Sequence, residues 1–389
     1  MLLRHPSIRL LFVAQALYWS CSMIGVTLTA LVGMQLAPLN GLATLPLALL
    51  VLGNLLAAQP LSLFMQRRGR RAGLRRGALA GIGGGLVCAL GVAAASFPLF
   101  GLGCLLIGGY QASAMYYRFA ALESVAETQR GRAAAWVVGG GVCAALVGPD
   151  LALWAKDVLP LPFVGAYLAI AVLAAAAWAL LGRLPDGTAP APAGGGWRTL
   201  AALLARPAVR GAMAITAIGH GLMILVMNAT PLAMNACGLP LHTSADVMRG
   251  HMLGMFLPAF VAGPLADRLG GRRVALLGSV VLLASAAIAL GGSTATHFLL
   301  SSVCLGLGWN LMLVAGTTLL ARAHRPEERG HAQGLMELGN GLVAACASFA
   351  AGALIGGAGW NAINLLIPPL VLLAWLMLAA ARRETPAAA

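Results

Sequence analysis

Acidic residues are scarce in this chain: 11 Asp and Glu stand against 25 Lys and Arg in 389 residues, and only Lys156 is a lysine. Charged side chains make up 9% of the sequence. A soluble domain carries about a quarter, so a soluble globule is excluded. The seven cysteines (Cys21, Cys88, Cys104, Cys143, Cys237, Cys304 and Cys346) lie in or at the edges of apolar segments. They lack the paired spacing of a zinc site or a disulfide framework, so no metal and no cofactor is expected. The glycine-rich loop that cradles nucleotide phosphates is also missing, which removes ATP as an energy source. A catalytic constellation is wanting too. His220, His251 and Glu337 are the only conceivable set, and they fall on three different spans with no Ser-His or His-rich metal spacing to join them. No catalytic residue is assigned and no enzyme is expected.

What fills the chain is apolar. Hydrophobic residues reach 60% and the mean hydropathy is +0.88. Twelve runs are long enough to cross a bilayer core, which takes roughly 20 residues each. They are 8–34, 41–65, 77–97, 98–119, 133–154, 160–183, 209–235, 245–265, 274–292, 296–320, 331–356 and 361–381. All but two of the basic residues, Lys156 and Arg249, fall at the two termini or beside every second loop. By the positive-inside rule both termini face the cytoplasm, and the chain is a multi-pass protein of the cell inner membrane. Met1–Phe12 carries Arg4 and Arg9 and runs into a span too long for a signal h-region, so a retained first helix is expected. The net charge of +14 is therefore a topology signal. The arginines are scattered over short loops instead of gathered on one soluble face, which argues against nucleic-acid binding.

The chain also repeats itself. Ser62-Leu-Phe-Met-Gln66-Arg-Arg-Gly69-Arg-Arg71 aligns with Gly263-Pro-Leu-Ala-Asp267-Arg268-Leu-Gly270-Gly-Arg272-Arg273 at an offset of 201. Arg130-Gly131-Arg132-Ala133 aligns with Arg329-Gly330-His331-Ala332 at an offset of 199. Two anchors with nearly one offset mark a duplicated membrane unit, an architecture common among secondary transporters. The division expected is a six-helix bundle over 1–183, a linker over 184–208 and a second bundle over 209–389. Pro, Ala and Gly dominate the linker up to Gly196, and Trp197–Arg206 reads as a short amphipathic helix with Arg198 and Arg206 outward.

Gly263–Arg273 resembles the loop motif of the major facilitator superfamily, G-x-L-A-D-R-x-G-R-R, at the place it occupies between the second and third helix of each half. The resemblance implies an all-α integral membrane fold of twelve transmembrane helices in two pseudo-symmetric six-helix bundles. It implies no cofactor, and a small-molecule substrate carried by alternating access about a site near the membrane midplane. Gly263, Asp267, Arg268, Gly270, Arg272 and Arg273 would form a conformational gate. The Asp267 carboxylate could accept from the first amides of the following helix or pair with a base. The first copy departs from the motif, with Gln66 for the acid and Ser62 for the first glycine. Gly148-Pro149 in the fifth span is an incomplete form of the family's antiporter motif.

Polar residues at membrane depth are costly without partners and so are functional candidates. The family's cavity is lined by spans one, four, seven and ten. The corresponding substrate-cavity candidates are Gln15, Tyr18, Trp19, Gln111, Tyr116, His220, Asn228, Trp309 and Asn310. This aromatic, neutral-polar set suits a neutral or planar organic solute. Paired mid-membrane arginines for a phosphate or dicarboxylate are wanting. For a coupling proton the candidates are His220, His251 and Glu337. The chain is expected to act as a monomer in the lipid bilayer. The degraded first loop leaves one alternative open, a transport-inactive membrane sensor or assembly partner.

Overall fold

Long apolar runs in a chain this poor in charge satisfy their backbone groups internally, and the structure is helical throughout the described residues. It is a computed structural model that describes residues 5–39, 42, 45–185 and 196–381. The expected linker residues 186–195 and the last eight residues lie outside that set. In chain order the helices are α1 (Pro6–Leu36), α2 (Leu45–Arg68), α3 (Arg70–Ala93), α4 (Phe97–Ala114), α5 (Tyr117–Glu123), α6 (Arg130–Gly139), α7 (Gly141–Lys156) and α8 (Val164–Leu181). Then follow α9 (Gly196–Ala205), α10 (Pro207–Ala236), α11 (Leu241–Phe256), α12 (Ala259–Leu269), α13 (Gly271–Leu290), α14 (Ala295–Ala321), α15 (Arg329–Gly357), α16 (Gly359–Leu365) and α17 (Ile367–Ala380). Among the described residues these make 12 stretches long and apolar enough to span a membrane. Several are broken. The fourth is α4 plus α5, the fifth α6 plus α7, the eighth α11 plus α12 and the twelfth α16 plus α17. Proline accounts for two of the breaks: Pro258 precedes α12, and Pro368 opens α17.

The duplication is visible in the backbone itself. Gly69 separates α2 from α3 at φ 87°, ψ 158°, and Gly270 separates α12 from α13 at φ 81°, ψ 149°. Only glycine enters that region without strain. The two basic turns are thus the same turn built twice. The second anchor repeats equally: one 3₁₀ turn (Glu127–Gln129, Pro326–Glu328) precedes α6 and α15, which start at Arg130 and Arg329.

Helix contacts divide the chain into two units. The first comprises Met1–Ser124 and Gly140–Pro192, the second Val125–Gly139 and Ala193–Ala389. In the first, α3 and α4 approach backbone to backbone. A Cβ added to Gly84 would lie 2.8 Å from the Gly103 carbonyl oxygen, and one added to Gly103 would lie 2.6 Å from the Cys88 nitrogen. In the second, α13 and α14 do the same, with a Cβ at Gly278 falling 3.0 Å from the Gly308 carbonyl oxygen. Lipid offers no hydrophobic drive for helices to associate, so removing bulk at the seam is how they gain packing contact. Gly83 has open space around it, so small size is needed at some of the span-three glycines and not at all of them.

Candidate functional site

In the first unit the aromatic candidates converge. Tyr18 on α1 meets Tyr110 on α4 edge to face, with ring centroids 5.5 Å apart, and its neighbour Trp19 lies 5.4 Å away. Tyr110 and Tyr117 are both fully buried. Gln15 is buried on α1 one turn before Trp19. Gln111 follows Tyr110 on α4, half-buried. Tyr116 is placed differently. It sits at the break between α4 and α5, donates its hydroxyl to the Ala58 carbonyl at 2.7 Å and carries the Arg70 guanidinium over its ring. Arg70 in turn holds Glu123 through two hydrogen bonds of 3.0 and 2.6 Å.

In the second unit, His220 on α10 and Trp309 on α14 are brought together. The Trp309 indole Nε1–H donates to His220 Nδ1 at 3.0 Å, and Phe256 on α11 meets the indole edge to face at 6.3 Å. The remaining candidates have other neighbours. Asn228 donates to the Ser348 hydroxyl on α15 at 3.1 Å. Asn310 is fully buried and donates to the Met255 carbonyl at 2.7 Å, tying α14 to α11. His251 is buried with Nδ1 2.9 Å from the Ser302 carbonyl oxygen, a geometry that makes Nδ1 the donor. Glu337 is buried on α15. Among the described residues no three His, Cys, Asp or Glu side chains gather as a metal site would require.

Around the loop motif the structure gives a specific result. Asp267, near the end of α12, accepts from the backbone amides of Gly131 (2.8 Å) and Arg132 (3.1 Å), and the Arg132 guanidinium lies 3.8 Å away. These are the opening amides of α6, not those of α13, the helix that follows Asp267 in sequence. The carboxylate thus caps a helix amino terminus and faces its positive dipole end. Gly263 makes the approach possible: a Cβ there would sit 2.5 Å from the Arg132 Cα and 2.9 Å from the Gly131 carbonyl oxygen. Arg268 and Arg273 are exposed and Arg272 is half-buried. A small cleft beside the cap is lined by Asp267, Gly131, Gly271 and Thr318 among others, and at its edge Glu127 reaches Arg322 at 3.6 Å.

Two expectations change. Arg206 does not point outward. Its guanidinium grips Glu328 through two bonds of 2.6 Å, and Glu328 also accepts from the Arg325 amide at 2.9 Å. That hydrogen bonding holds the Arg206 guanidinium above its ordinary pKa. The pair ties the end of α9 to the turn before α15, which leaves Trp197, Arg198 and Leu204 on the open side of α9. For Asp267 the amides of the following helix give way to those of Gly131 and Arg132, while the expected pairing with a base is met by the Arg132 guanidinium at 3.8 Å. Pro149 lies in α7, with its side chain outside the described residues.

Comparison with known proteins gives these shapes relatives. Residues 213–389 match the family model of the Major Facilitator Superfamily. The chain is 38% identical over 374 residues to the riboflavin transporter RfnT of Brucella anthropi, a match covering 94% of this chain and 93% of that one. It is 28% identical over 366 residues to the uncharacterized MFS-type transporter YdeG of Bacillus subtilis, covering 88% of this chain and 84% of the relative. Among solved structures, the E. coli fucose:proton symporter FucP superposes with a TM-score of 0.77 at 14% identity, over 98% of each chain.

Proposed function

Because this chain belongs to the major facilitator superfamily, and is therefore a multi-pass membrane transporter and not an enzyme, we propose that it carries riboflavin or a solute of the same kind by alternating access, driven by protons. The solute class is planar, heteroaromatic, neutral overall and rich in hydrogen-bonding groups. The observation that carries this is the 38% identity to a riboflavin transporter across 94% of the chain. The residues agree with it. In the first unit Tyr18, Trp19 and Tyr110 form an aromatic cluster of the kind on which a fused ring system stacks, and the second unit separately carries Trp309. Gln15, Gln111 and Asn228 offer amides for ring carbonyls and hydroxyls. The mid-membrane arginine pair that an organic phosphate would need is missing from the sequence, so riboflavin fits better than its phosphorylated derivatives.

The coupling proton falls to His220, His251 or Glu337, and His220 is the one joined to an aromatic candidate. The Asp267 cap on α6 serves as the gate: it is held in one conformational state and released in the other, with Gly263 and Gly270 allowing the contact and Arg268, Arg272 and Arg273 meeting lipid headgroups. The protein works as a monomer in the inner membrane with both termini cytoplasmic. A transport-inactive sensor would fit the loss of the acid at Gln66, but near full-length similarity to a transporter weighs against it. Titrating the purified protein with riboflavin tests the substrate assignment directly. Saturable quenching of the protein's tryptophan fluorescence by riboflavin, and not by flavin mononucleotide over the same concentrations, is expected. An absence of saturable binding overturns it.

A further inference from the structure

We propose that protonation of His220 releases the Trp309 indole, so that Trp309 becomes available to the solute only when His220 is charged. This rests on the substrate reading above and adds to it the residue through which the proton acts and the sign of the coupling.

The argument begins with hydrogen-bond inventory. An indole nitrogen can only donate. Trp309 Nε1 lies 3.0 Å from His220 Nδ1, so that imidazole nitrogen must present its lone pair. The neutral ring then carries its proton on Nε2. Imidazolium bears N–H on both nitrogens, and a protonated His220 would set a donor against a donor. The bond cannot survive that change. Trp309 is 4% exposed, and a buried indole N–H stripped of its acceptor is costly, which drives it to turn towards another one. The bond is therefore a two-state contact whose state is set by one proton.

Other ionisable groups lie on α10 and on the helices packed against it. On α10 itself the other ionisable group is Arg210, in the first turn. On α14 they are His297 and Cys304, and α16 and α17 carry none. On α15, which packs against α10, they are Arg329, His331, Glu337 and Cys346. On α11 they are His242, Asp246, Arg249 and His251, and His251 directs Nδ1 to the Ser302 carbonyl. The indole N–H of Trp309 is the donor that the structure places on His220 Nδ1.

A freed indole offers a stacking face and an N–H donor, which suits a planar solute bearing ring carbonyls. If charging His220 creates that partner, solute binding must favour charging His220 by the same factor. Proton and solute then bind together and cross in the same direction.

The test uses the full chain in nanodiscs, with riboflavin as the probe. The wild-type Kd should tighten by about tenfold between mildly alkaline and mildly acidic buffer, within the usual range of coupling between two sites. Trp309→Phe removes the donor, and His220→Gln gives the indole an acceptor at every pH. Both variants, checked as monodisperse, should bind with affinity that no longer depends on pH. In parallel, nitrogen NMR of histidine-labelled, solute-free protein should find neutral His220 protonated on Nε2, with that preference lost in Trp309→Phe. A pH-independent wild-type Kd, an intact pH dependence in Trp309→Phe, or a neutral His220 protonated on Nδ1 would each overturn the proposal. Failure of riboflavin to bind at any pH removes the substrate reading alone, and the tautomer measurement still decides the His220–Trp309 pair.

Discussion

Replacing Asp267 with asparagine keeps the shape of the α6 cap and removes its charge. The carboxylate now accepts from two amides, at 2.8 and 3.1 Å, and its side chain is 8% exposed, so water screens it little. Hydrogen bonds to a charged acceptor contribute about 1.5–3 kcal/mol each, against about 1 for a neutral one. Asparagine retains one such bond and presents its NH₂ to the other amide, and it forfeits about 0.3–1 kcal/mol of attraction to the helix dipole. Relief of the burial cost of the charge offsets part of this, which leaves a net loss of about 1–2 kcal/mol in how firmly α6 is held. Opening of the segment then becomes about 5–30 times more frequent. Hydrogen exchange reads that number directly, because the Gly131 and Arg132 amides exchange only when the cap opens. Asp267→Asn should speed exchange in peptides covering 125–139 by that factor while α3 and α8, in the other unit, stay unchanged. Unaltered exchange over 125–139 in a normally expressed variant would refute the cap as an energetic element.

Three further outcomes follow from the geometry. Gly270→Ala forces a side chain into a backbone region at φ 81°, ψ 149° and should cost about 1–3 kcal/mol, seen as a lower thermal midpoint; an unchanged midpoint would show that the turn can relax. Gly263→Ala drives a Cβ to 2.5 Å from the Arg132 Cα, so α12 and α6 must part, and exchange over 125–139 should rise as it does in Asp267→Asn. Arg206→Ala and Glu328→Ala should not be additive. The pair is bidentate, but Arg206 is 35% exposed, so a double-mutant cycle should return about 0.5–1 kcal/mol, and additive effects would remove the clamp on α9.

The fold was legible because each apolar run is long enough to be recognised alone. The turn glycines were legible for a related reason. Gly69 and Gly270 answer a purely local backbone demand, and the structure gives them nearly one conformation. The partners of individual polar groups were not legible. Asp267 finds amides 136 and 135 residues away, and Trp309 finds His220 across 89. No periodicity encodes such pairs, since they depend on which helix faces meet. Arg206 shows the same limit. The helical pattern of α9 placed it on a polar face, but an acid 122 residues further on determines where the guanidinium goes. The breaks at Pro258 and Pro368 were readable in principle, whereas the break at Met115–Tyr116 has no proline or glycine and depends on packing against α2 through the Tyr116 hydroxyl.

Counterflow measures whether this chain moves a flavin-like solute, without regard to direction. Liposomes containing the purified protein and loaded with unlabelled riboflavin are diluted into buffer with a trace of labelled riboflavin. Transient accumulation of label above the level of protein-free liposomes is predicted, absent when the lumen holds fucose in place of riboflavin. Label that never exceeds the protein-free level, with folded protein demonstrably inserted, would show that this chain does not move riboflavin.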